Sequence, residues 1–107
     1  DSGTLQADYA PRAKLRLMSA AQLRMALEGL PRSGASSVAV YWRTVEPGGR
    51  VRAACAMPAN AQAAAHELFH ALRELDASRA DFIWVEAPPP SAAWEGVRDR
   101  LQRAAAA

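Results

Sequence analysis

Two histidines stand four apart in AHELFHALRELD, residues 65–76, and Glu67 lies between them. On a helix this HExxH spacing sets His66 and His70 on one face, where they can bind zinc while the glutamate activates a bound water as general base. A zinc hydrolase also needs a third protein ligand, an open position for water and a concave site. The sequence has no third histidine, and Arg73 occupies the place where a metzincin-like continuation requires a helix-breaking glycine. Glu74 or Glu86 could be offered as a carboxylate ligand, but no spacing selects either. Stepping about 100° per residue from the centre of the apolar stripe puts both histidines on its flank and Glu67 nearly opposite the core. Surface placement is the expectation, with an HExxH zinc hydrolase as the lesser alternative.

Two further stretches carry chemistry. Cys55 is the single cysteine; with an imidazole neighbour it could serve as a nucleophile, yet its apolar strand context reads as a buried filler. PGGR, residues 47–50, has the glycines of a phosphate loop, but such loops lead into a helix whose amino end holds the anion. Here a strand follows, so a turn is expected.

The elements that must position these residues come from a chain of 107 residues, enough for one domain with one modest core. It is 50% hydrophobic and 22% charged, with a formal net charge of +2 and scattered arginines. Neither a membrane span nor a direct nucleic-acid interface is expected. One cysteine permits no internal disulfide and points to a reducing, cytoplasmic setting. The chain opens on Asp1 with no initiator methionine or secretory signal, and is expected to be a piece of a longer protein.

Residues 1–14 carry Gly3 and Pro11 and no apolar period, which predicts an extended linker. LRLM, residues 15–18, predicts a strand; Ser19 and Gln22 form a capping-box spacing for a helix over 20–30. RSGASS reads as a loop. SVAVYWR (37–43) and VRAACAM (51–57) predict two strands, antiparallel if they pair because the connection is too short for a helical crossover. A second helix follows over 59–75, with Ala65, Leu68, Phe69, Leu72 and Leu75 on one stripe. DFIWVE, residues 81–86, reads as a strand buried on both faces. Ser91 is expected to cap a last helix with Trp94, Val97, Leu101 and Ala104 inward and a fraying polyalanine end. Phe69, Leu72, Ile83, Val85, Trp94 and Leu101 should meet in the core. This alternation implies an α/β fold: a small Rossmann-like three-layer sandwich, a mostly parallel sheet of about four strands with helices on both faces.

Taken together, GTLQADYAPRAKLRL, MPANAQAAAHELFHALRELDASRADFIWVEAPP and WEGVRDRLQRAA resemble the carboxy-terminal part of long-form L-threonylcarbamoyladenylate synthases. In that family a YrdC-like catalytic domain is joined by an SPGMxxxHYAP-type linker to a small α/β accessory domain. Gly3, Tyr9, Ala10 and Pro11 match that linker; Asp8 stands where its histidine usually stands. The resemblance implies residues 1–14 as interdomain linker and residues 15–107 as accessory domain, without the catalytic domain. It implies a parent enzyme, an ATP-dependent nucleotidyltransferase of tRNA modification, that uses ATP and magnesium to condense threonine and bicarbonate into threonylcarbamoyl-AMP. No cofactor is expected in this chain, and its partner is the catalytic domain of the same parent protein. Gly3, Tyr9, Ala10 and Pro11 are then expected in a lid over that domain's active site, and apolar surface is expected where the partner would sit. The alternative is a Rossmann-like small-molecule or nucleotide-binding module with a site near Glu86 and APPP, at the carboxyl ends of the strands.

Overall fold

The computed structural model describes residues 10–32 and 36–107. Along them run β1 (Lys14–Met18), α1 (Ala20–Glu28), β2 (Val38–Trp42), β3 (Ala53–Ala56), α2 (Ala61–Ala77), β4 (Phe82–Glu86) and α3 (Glu95–Ala106). The sheet order is β1-β4-β2-β3, and each neighbouring pair is parallel. Helices cover both faces, which makes the domain the small Rossmann-like α/β sandwich that the alternation implies. Of the loop expected over RSGASS, residues 33–35 lie outside the described residues.

Alternation along each strand divides the core in two. Register aligns Leu15, Ile83, Ala39 and Ala53 in one row and Leu17, Val85, Tyr41 and Cys55 in the next. These rows meet α2 through Leu68, Phe69 and Leu72, Trp94 just ahead of α3, and α3 itself through Val97 and Leu101, forming the larger cluster. The six residues expected to meet in the core are all in it. On the opposite face Val38 and Val40 pack with Leu23 and Leu27 of α1, while Phe82, Trp84 and Trp42 are only partly buried. β4 therefore lies inside the sheet, but just one of its faces is fully covered.

Local signals explain the helix starts. The Ser19 hydroxyl accepts from the Gln22 amide at 3.1 Å and the Gln22 side chain accepts from the Ser19 amide at 2.8 Å, a complete capping box. Asn60 caps α2 by accepting from the Ala63 amide at 3.0 Å.

Four further expectations need correction. β2 and β3 are parallel, because strands of four or five residues are only about 15 Å long and residues 43–52 can return that distance without a helix. The return is held by Arg52 N donating to Val38 O (2.8 Å) and by Val45 and Val51 packing on the α1 side. Cys55 is only half-buried, since β3 is an edge strand. Ser91 makes no side-chain cap; it opens a 3₁₀ turn, Ala92–Trp94, ahead of α3. The polyalanine end stays helical through Ala106, with Ala104 buried and Ala105 packed on the core.

Candidate functional site

The helix carrying HELFH buries Leu68, Phe69 and Leu72 and leaves His66, Glu67 and His70 exposed. A shallow hollow there holds His66 and Glu67 with Asn60, Gln62 and Ala63, but His70 is not part of it. Among the described residues no three His, Cys, Asp or Glu side chains come close enough to share a metal ion. The described residues around His66 and His70 therefore do not fit a zinc centre.

Glu86, a candidate ligand and a neighbour of the expected strand-end site, is instead consumed inside the fold. It is 1% exposed, and its Oε1 accepts from the amides of Arg43 (2.8 Å), Thr44 (2.8 Å) and Val45 (3.0 Å). Its Oε2 accepts from the Thr44 hydroxyl. Burial raises the pKa of this carboxyl; the Thr44 hydroxyl and the amides of Thr44, Arg43 and Val45 outweigh it, so the net shift is downward. The carboxylate fixes the start of the chain that returns from β2 to β3.

Cys55 does not have the setting of a nucleophile. Burial and the nearby Glu74 carboxylate both push its thiol pKa up, away from the thiolate that attack requires. Beside it in register, the Tyr41 phenol is pushed up to about 12 by burial first, with the charges of Cys55 and Glu67 adding to it. The Tyr41 hydroxyl is buried without a hydrogen-bond partner among the described residues.

The PGGR segment forms a 3₁₀ turn, Gly48–Arg50, with Gly48 at φ +76°, a conformation that favours glycine. It borders a groove of about 440 Å³ lined by Arg24, Glu28, Thr44, Glu46 and Arg50. Arg50 donates across it to the carbonyl oxygens of Leu30 (3.3 Å) and Glu28 (3.5 Å). Two arginines face two glutamates, and the turn leads into β3, so no anion cradle is built.

Of the expected linker residues, Gly3 and Tyr9 lie outside the described residues; Ala10 is exposed and Pro11 half-buried. Directly after them the chain is gripped. Arg12 N donates to Asp76 Oδ2 at 2.9 Å, Ala13 N to Asp76 Oδ1 at 3.0 Å, and Lys14 N to Asp81 O at 2.9 Å. Asp76 carried one legible signal: an acidic residue in the last turn of a helix, where the macrodipole disfavours it.

No helix among the described residues is long and apolar enough to cross a membrane. Comparisons with curated proteins and with solved structures each returned no match. A scan against protein families matched residues 1–106 to the model described as threonylcarbamoyl-AMP synthase, C-terminal domain. With the small parallel α/β fold in place and the match running over nearly the whole chain, the protein belongs to the family of threonylcarbamoyl-AMP synthase C-terminal domains.

Proposed function

We propose that this chain is the non-catalytic accessory domain of a threonylcarbamoyl-AMP synthase, tied by residues 1–14 to a YrdC-like catalytic domain of the same protein. The observation that carries this reading is the family match over residues 1–106, which includes residues 1–14 as well as the rest of the chain to Ala106. The parent reaction joins threonine, bicarbonate and ATP into threonylcarbamoyl-AMP, pyrophosphate and water, the step that feeds threonylcarbamoyladenosine formation in tRNA. ATP and magnesium act in the catalytic domain, and a cytoplasmic setting agrees with a chain of one cysteine.

Within that frame, Gly3, Tyr9, Ala10 and Pro11 lie over the catalytic cavity. Gly3 lets the backbone turn back across it, Pro11 stiffens the approach to β1, and Tyr9 covers the labile mixed anhydride. Closure of this kind excludes water and prolongs the intermediate. Tyr9→Ala in the parent enzyme should lower threonylcarbamoyl-AMP synthesis or hasten its release into solution. Unchanged synthesis together with an unchanged intermediate lifetime would reduce the segment to a tether.

A further inference from the structure

We propose that Asp76 is a positioning residue that sets the direction in which the linker leaves the accessory domain; this rests on the reading that the linker covers the catalytic cavity. Its carboxylate takes the amides of Arg12 and Ala13, one on each oxygen, at 2.9 and 3.0 Å. The next amide, that of Lys14, is held at 2.9 Å by the carbonyl of Asp81. Three successive N–H groups are thus bound to the last turn of α2 and the turn that follows it, and Pro11, which has no N–H and a fixed φ, stands immediately before them. Ala13 is 7% exposed and belongs to the core cluster, so the grip is anchored in packing. Residues 11–14 form an elbow rather than a free hinge.

The residue type is informative. A carboxylate in the last turn of α2 opposes the helix macrodipole, so its place there calls for a compensating interaction, and the two amides from more than sixty residues earlier supply it. Arg79, at φ 64°, then reverses the chain and brings Asp81 alongside Lys14. Both ends of the grip therefore come from one rigid corner of the domain. A lid attached there inherits a fixed exit vector, which lessens the orientational freedom to be lost on closing.

The test uses the full-length synthase that carries this domain. Asp76→Asn keeps the shape but sets an amide NH₂ against one of the two backbone N–H groups. Exchange of the Arg12 and Ala13 amide hydrogens should rise by about tenfold or more, the size expected for a lost charge-assisted hydrogen bond. Threonylcarbamoyl-AMP should escape into solution faster and kcat should fall, with KM for threonine little changed. Inserting two glycines between Pro11 and Arg12, with Asp76 left native, should give the same kinetic defect without altering the grip, which keeps the test decisive if Asp76→Asn does not fold. Faster exchange with wild-type synthesis and release, or an insertion without kinetic effect, would overturn the proposal and leave Asp76 as a closure of the domain edge. Tyr9→Ala separates the two readings: if it is impaired while the Asp76 variant and the insertion are normal, only the role of Asp76 falls. If all three are normal, the lid reading falls with it.

Discussion

A carboxylate at the end of an interior strand must be satisfied or neutralised, and Glu86 is satisfied by three amides and a hydroxyl. Its type and strand-end position were legible in the sequence; its donors, some forty residues earlier, were not, and so it read as an open site. Glu86→Ala would strand those donors and should cost about 3 kcal/mol or more in denaturant unfolding. The pH dependence follows from its lowered pKa. The folded state binds fewer protons at this group than the unfolded chain, so its stabilisation is present above the unfolded pKa and lost as pH falls through the folded one. Compared with Glu86→Gln, the wild type should therefore lose stability more steeply as pH falls below the ordinary glutamate range, and parallel curves would mean that the carboxylate is not the group responsible. Tyr41 presents the opposite case, a buried hydroxyl without a partner among the described residues. Tyr41→Phe should raise stability by about 1 kcal/mol, whereas a fall of that size would reveal a buried water holding the phenol.

Helices and strands were legible where the pattern is local. Ser19 and Gln22 lie within one turn of each other, and the inward lines of α2 and α3 repeat at helical spacing. Ser19→Ala should cost about 1 kcal/mol, and Leu72→Ala, at a site of 0% exposure, about 2 to 5 kcal/mol. A change within about 0.5 kcal/mol for Leu72→Ala would mean that this face of α2 is not packed against the sheet. What depends on distant residues is not legible. The direction of β3 depends on how a chain without a helix crosses from one strand end to the other, and on Val45 and Val51 having an α1-side cluster to enter. Neither is visible at the turn itself. The polyalanine end read as fraying for the same reason: its good helix propensity was legible, but the core that buries Ala104 lies elsewhere in the chain.

At the scale of the whole molecule, the carboxyl edge of a parallel sheet is where α/β domains ordinarily take nucleotides, so what occupies it bears on activity. α1 and α2 begin at that edge, and their amino ends could have met a phosphate. Both are already capped from within, α1 by the reciprocal Ser19 and Gln22 bonds and α2 by Asn60. α3 starts behind a 3₁₀ turn, with Trp94 at its cap position and buried. The glycine turn at 48–49 feeds a strand, Glu86 is closed off, and no three metal-ligating side chains gather among the described residues. A phosphoryl or adenylyl transfer needs its phosphates held and their charge offset, and among the described residues the amino ends of α1 and α2 and the Glu86 carboxylate at this edge are already engaged within the fold. The purified 107-residue chain should therefore release no pyrophosphate from ATP in the presence of threonine, bicarbonate and magnesium, and should form no threonylcarbamoyl-AMP. The same assay with the catalytic domain covalently joined should recover synthesis. Turnover by the chain alone that persists through repeated purification would place a catalytic site in this domain and overturn its accessory role.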